Sequence, residues 1–261
     1  MSDRVAIVTG AARGIGAATA RRLSADGWWV SLVDACADDS AVGYPLATRA
    51  DLDEAVAATG DRGVGVVADV RDQQALEGAV AETVERWGRL DAAVAAAGVV
   101  AGGRPGWETS DEVWDTLIGV DLTGVWRLAR AAIPAMLAAP SPRSGRFVAV
   151  SSAAGTSGLA QLAAYCAAKH GVVGLVRALG VELAGTGVTA NAVAPGSTDT
   201  AMLAATTVLY DLDDASELVA HQPLGRVITP DEVADAIVWL CEGAAAVTGA
   251  VVAVDGGMTA R

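Results

Sequence analysis

A chain of 261 residues that is 52% hydrophobic has the volume for one large α/β core and is short for two, so a single domain over 1–261 is expected. A formal charge of −13 argues against nucleic acid and anionic membrane surfaces as partners, and leaves any anionic ligand to be held by local dipoles. Cys36, Cys166 and Cys241 have neither disulfide nor metal-ligand spacing, the N-terminus runs straight into Val5-Ala6-Ile7-Val8, and no segment reaches the ~20 apolar residues of a membrane span; together these point to a cytoplasmic protein without a metal.

Short Val/Ala/Ile runs alternate with longer stretches of helical period, the pattern of βαβ units stacked into a parallel sheet. A first strand near Val5–Val8 is followed by Thr9-Gly10-Ala11-Ala12-Arg13-Gly14-Ile15-Gly16 and a helix near Ile15–Ala25. Gly10 and Gly14 permit a tight turn, Gly16 lets helix and strand pack, and the helix N-terminus turns its N–H groups toward a pyrophosphate. After a second strand near Trp29–Val33 comes Asp34, 18 positions beyond Gly16, where a carboxylate accepts hydrogen bonds from an adenosine ribose and repels a 2′-phosphate. That favours NAD over NADP; Arg13 is the counter-argument, since a guanidinium in the turn could meet the phosphate.

A helix near Asp51–Ala58, a strand near Gly65–Ala68, a helix near Gln73–Arg86 and a strand near Ala92–Ala95 come next. One long helix over Asp111–Met136, opened by Ser110, precedes a strand near Arg146–Val150. Ser152 stands at the C-terminal end of that strand, the sheet edge where doubly wound folds bind ligands. Thirteen positions on, Tyr165 begins Tyr165-Cys166-Ala167-Ala168-Lys169 on a helix near Ala163–Leu183, which places phenol and ammonium on one helical face. A phenol serving as base near neutrality needs its pKa lowered by ~3 units, and Lys169 beside a cationic nicotinamide is the expected cause. Strands near Thr189–Val193 and Val251–Val254, with a helix near Asp231–Cys241 opened by Pro230, complete an expected doubly wound Rossmann fold of about seven parallel strands with helices on both faces. His170 and His221 read as structural.

With these motifs in order, the chain resembles the short-chain dehydrogenase/reductase family over essentially its whole length. The resemblance implies catalytic roles for Ser152, Tyr165 and Lys169. It also assigns Gly10, Arg13, Gly14, Ile15 and Gly16 to the dinucleotide turn, Asp34 to the ribose, Asp69 and Val70 to the adenine, Ala97 and Gly98 to the cofactor floor, and Pro195, Gly196, Thr198 and Thr200 to the nicotinamide segment. Two departures stand out: Ala95-Ala96-Ala97-Gly98 replaces the usual Asn-Asn-Ala-Gly, and Asp121 stands where the family's catalytic tetrad has asparagine. That position is expected to act through its backbone carbonyl, with the added anion holding Lys169 charged.

Asp69 comes 35 positions after Asp34, more than the family usually spends, which makes 36–62 an insertion near the adenosine: either a surface elaboration or a cover for the cofactor. The insertion, the triple alanine, Asp121 and the Trp107 and Trp126 segments resemble the mycofactocin-coupled subgroup. That implies a nicotinamide retained through turnover and reoxidised by a peptide-derived redox carrier. Segment 200–222 reads as a flexible, mostly apolar lid, favouring a neutral hydrophobic secondary alcohol or its ketone, and the resemblance implies a homotetramer. The alternatives are a ketone or 3-oxoacyl-thioester reductase with exchangeable NADPH, which Asp34 disfavours, and a non-catalytic NAD-binding protein, which the intact trio disfavours.

Overall fold

The computed structural model describes residues 4–214 and 216–260. Seven parallel strands form one sheet in the order β3-β2-β1-β4-β5-β6-β7: β1 (Val5–Thr9), β2 (Trp29–Asp34), β3 (Gly63–Val67), β4 (Ala92–Ala95), β5 (Arg146–Val150), β6 (Thr189–Pro195) and β7 (Val251–Val254). The order is outward in one direction from β1 through β3 and in the other from β4 through β7. The chain therefore reverses between β1 and β4, opening a crevice at their C-terminal ends.

Strand residues alternate between the two faces, and in β1, β4, β5 and β6 both faces are buried. Val5 and Ile7 join one apolar cluster with Leu76, Leu128, Met136, Val172 and Val176. Ala6 and Val8 join the other with Leu23, Leu32, Leu52, Ile237 and Leu240. The first face is covered by α3 (Gln73–Trp87), α5 (Gly124–Ala138) and α6 (Ala163–Glu182), the second by α1 (Gly14–Ala25), α2 (Arg49–Ala57) and α9 (Pro230–Glu242). Burial on both sides explains why the strands read as unbroken Val/Ala runs rather than alternating patterns. Among the described residues no helix is long and apolar enough to cross a membrane.

Three local differences from the sequence reading have clear causes. The predicted helix over 111–136 is divided: α4 (Asp111–Ile118), capped by Ser110, passes through a π-helical turn at Gly119–Thr123 before α5 begins. The extra residue per turn rotates Asp121 inward, to complete burial. β3 starts at Gly63, before the predicted Gly65, because its extent is set by pairing with β2 and not by the poor strand propensity of glycine. The cap of α9 is Thr229, in a capping box with Glu232, and Pro230 takes the first helical position instead. The expected lid at 200–222 carries two helices, α7 (Ala201–Leu209) and α8 (Ser216–Val219).

Candidate active site

The β1–α1 turn is compressed in the way its glycines predict. A Cβ on Gly10, which has φ of +64°, would lie 2.5 Å from the Cα of Ala97, and one on Gly16 would overlap the carbonyl oxygen of Gly10. A Cβ on Gly14 would project to 3.3 Å from Thr200, into the gap between the helix end and the far wall. Arg13 caps α1 without a side-chain hydrogen bond, so the first N–H groups of the helix remain directed at that gap. Asp34 closes the turn: its carboxylate accepts from Ala12 N at 3.1 Å and Cys36 N at 3.2 Å while lining the cleft of about 650 Å³.

The insertion lies across this cleft, and Ala37, Asp39, Tyr44, Leu46 and Ala47 line it. Four polar ties hold it down. The Arg13 guanidinium donates to Pro45 O at 2.9 Å, so it is spent on the insertion rather than left facing the ribose side of Asp34. Arg71 grips Asp69 at 2.7 Å and reaches Asp39 at 2.6 Å, Ser40 donates to Glu112 at 2.8 Å, and the Tyr44 hydroxyl accepts from Val100 N at 3.2 Å. Val70 is buried and packs on Gly124. Burial pushes the Tyr44 phenol up to about 12, which keeps it a neutral wall of the site.

Tyr165 and Lys169 face inward from α6, 8% and 3% exposed. Their helix is pinned to β5 by Ser151, whose hydroxyl donates to Lys169 O at 3.0 Å. Ser152 caps the short turn at Ala153–Gly155, accepting from Ala154 N at 3.1 Å. The Lys169 ammonium donates to Val150 O at 3.2 Å, stands 3.7 Å from Asp121 Oδ2, and lies 5.6 Å from the centre of the Tyr165 ring. Burial first, and then the Asp121 charge, push the Tyr165 phenol well above the ordinary range, with only a hydrogen bond from Ser152 opposing them. The Asp121 side chain is turned to Lys169, and its Oδ1 accepts from Val99 N at 2.8 Å. Burial raises its pKa to about 6 despite Lys169 and that N–H.

Behind Ser152 and Tyr165 opens a cavity of about 860 Å³ walled by Leu159, Leu162, Met202, Leu203, Tyr210 and Leu212. It meets the dinucleotide cleft at Ile15, Ala96, Gly98, Thr200 and Met202. Thr200 caps α7 by accepting from Leu203 N at 3.4 Å, and buried Thr198 donates to Gly196 O at 3.1 Å. Gln222 ties this segment in place, accepting from Ser197 N at 2.5 Å and donating to Arg226 O at 2.9 Å. Pro195 and Gly196 line the same cavity, which brings the predicted nicotinamide segment to the predicted trio; Asp69 and Val70 line the glycine-turn cleft instead. His221, with Glu217, also lines the cavity; His170 bonds Cys166 O at 2.9 Å on the exposed side of α6. Gln222, Ser151 and Tyr44 carry no motif of their own, and sequence reasoning missed their roles.

Residues 10–259 match the family model described as enoyl-(acyl carrier protein) reductase. The chain is 42% identical to an uncharacterized NAD-dependent oxidoreductase of Mycobacterium tuberculosis, over 98% of this chain and 96% of that protein. It is 38% identical to the (−)-trans-carveol dehydrogenase of Rhodococcus erythropolis, over 100% and 99% of the two. The crystal structure of carveol dehydrogenase from Mycobacterium avium, in complex with NAD, matches with a TM-score of 0.94 at 34% identity, over 100% of this chain and 99% of that one.

Proposed function

The chain belongs to the short-chain dehydrogenase/reductase family, and on that premise we propose that it interconverts a neutral, hydrophobic secondary alcohol and its ketone with an NAD that stays bound through turnover. At the coarser level it is an NAD-dependent oxidoreductase acting on alcohols or ketones. The observation that carries the finer reading is the meeting of two spaces: a cavity with leucine and methionine walls holding Ser152 and Tyr165 opens, at Gly98 and Thr200, onto the glycine-turn cleft.

The residues present fit the dinucleotide. Backbone N–H groups of the turn from Gly10 to Gly16 would hold its pyrophosphate, Asp34 the adenosine ribose, Asp69 and Val70 the adenine edge, Lys169 the second ribose, and Pro195 to Thr200 the carboxamide. When bound, NAD supplies the acceptor for the hydride, and reduced NAD its donor. Ser152 holds the substrate oxygen, and Tyr165 takes the hydroxyl proton as the carbon's hydrogen leaves with its electron pair; in the other direction Tyr165 returns a proton to the carbonyl oxygen.

Four ties from the insertion support retention of the cofactor, and a retained cofactor needs a second redox partner. The mycofactocin type of peptide-derived carrier is our proposal for it, in a cytoplasmic homotetramer. Mass spectrometry of what purified protein releases on denaturation, followed by an alcohol screen with an artificial electron acceptor, tests the reading. NAD is expected in the release, with acceptor-dependent oxidation of apolar secondary alcohols; cofactor-free protein with fast turnover on added NAD would overturn the retention.

A further inference from the structure

Asp121 is a feature that the proposed reaction does not require. Its carboxylate is fully buried, beside the Lys169 ammonium. One oxygen is fixed by Val99 N at 2.8 Å; the other has no hydrogen-bond partner among the described residues and stands 3.7 Å from the Lys169 ammonium. Gly98 is what allows this approach: a Cβ there would lie 3.3 Å from the ammonium nitrogen and 3.4 Å from the carboxylate, so any side chain would crowd the pair.

We propose that Asp121 is a positioning residue that keeps the proton on Tyr165: by engaging Lys169 it extends upward the pH range over which the phenol is protonated, so that the site reduces ketones at neutral pH and oxidises alcohols well only in alkaline solution. The inference rests on Tyr165 being the proton carrier. The physical reason is compensation of charge. An ammonium alone at this position would favour a nearby phenolate, whereas an ammonium held by a carboxylate and by Val150 O presents Tyr165 with a nearly neutral pair. Among the described residues the protein's other groups that face Tyr165 include no second cation: Ser152 offers one hydroxyl, Cys166 a thiol, and Tyr44 on the insertion a second buried phenol. Burial and the Asp121 charge thus act in the same direction on the phenol.

In the favoured direction the carbonyl carbon receives a hydride, with its two electrons, from reduced NAD, and the oxygen receives the Tyr165 proton. The C=O π bond is lost, an alcohol forms, and the phenolate is reprotonated from water. In the other direction the phenolate must already exist, and Asp121 opposes it.

Asp121→Asn removes the charge and keeps an acceptor for Val99 N. The chain has three tyrosines, so ultraviolet titration of tyrosinate, taken as the difference from Tyr165→Phe in each background, isolates the Tyr165 phenol without any turnover. In the wild type its midpoint is expected above the ordinary phenol value of ~10. In Asp121→Asn it is expected to fall by about one unit or more, with alcohol oxidation at pH 7 by the holoenzyme rising about tenfold, and reversion to aspartate restoring the original profile. An unmoved midpoint in a variant that still melts cooperatively and binds NAD overturns the proposal. A wild-type midpoint at or below ~10 overturns it too, and needs no variant at Asp121 to fold. Activity retained by Tyr165→Phe would refute the proton-carrier assignment instead, which the spectroscopic arm keeps separate from the effect of Asp121.

Discussion

Replacing Arg71 by alanine is expected to speed NAD release about fivefold, and the figure can be built from the clamp itself. The guanidinium binds Asp69 through a fork at 2.7–3.1 Å and Asp39 at 2.6 Å, joining the insertion to the adenosine end of the cleft. Arg71 is 39% exposed, and solvent-facing ion pairs are each worth about 0.2–1 kcal/mol; the cover over Asp39, 14% exposed, puts that pair at the upper end. Only the Asp39 pair joins the insertion to Arg71 and must break for it to lift; its loss gives about 1 kcal/mol, and at 1.4 kcal/mol per tenfold this is the stated acceleration if the clamp must open for the cofactor to leave. Stopped-flow displacement of fluorescent reduced NAD by excess NAD reads the rate directly. Raising salt is expected to speed release from the wild type and to leave the variant nearly unchanged, since screening removes the same pairs. A release rate within twofold of wild type, in a variant whose melting temperature is preserved, would refute the view that the insertion retains the cofactor through this clamp.

Tyr165→Phe is expected to lose alcohol oxidation by about 10²–10⁴-fold while NAD affinity by titration stays level, and substantial residual turnover removes the phenol from the mechanism. Asp34→Asn takes away the charge at the ribose end; the ratio of NADP to NAD dissociation constants is expected to fall, and an unchanged ratio means that discrimination lies elsewhere. Gly16→Ala drives a methyl into Gly10 O, so thermal unfolding is expected to show a loss of about 1–3 kcal/mol together with loss of bound cofactor.

What the sequence revealed and what it hid divide by range. Strands such as Ala92–Ala95 and Arg146–Val150 fall where they were expected because a strand buried on both faces needs a continuous apolar run, a signal contained within the run itself. The turn glycines were legible for the same reason: Gly10 needs positive φ and Gly16 close contact, both local demands. The Tyr165–Lys169 pair was legible as a shared helical face, and Asp121 as an anion beside Lys169, but the depth of burial around the phenol was not, because it comes from elements far apart in the chain. Nothing in the periodicity of 111–136 announces the π turn that rotates this carboxylate inward, since apolar residues such as Leu117, Val125 and Leu128 continue across it. The insertion could be sized from the spacing of Asp34 and Asp69, yet its position could not: Arg13 to Pro45 and Tyr44 to Val100 are tertiary contacts with no repeat or motif behind them.

Tyr44 shows why the insertion and the catalytic groups have to be considered as one unit. Its ring belongs to the same apolar cluster as Tyr165, Leu162 and Met202, while its hydroxyl satisfies Val100 N just beyond the Val99 N–H that Asp121 holds. The strand-end loop after β4 is therefore gripped twice in succession, once by the insertion and once by the π turn. Opening the insertion would leave the Val100 N–H without its partner and bring water toward the Asp121–Lys169 pair, whose mutual attraction depends on its exclusion. A cover that only shielded the adenosine would need none of this. The reach of Tyr44 from the insertion to the cluster around Tyr165 would make the proposed cofactor retention and the proposed protonation of Tyr165 two consequences of one closed arrangement.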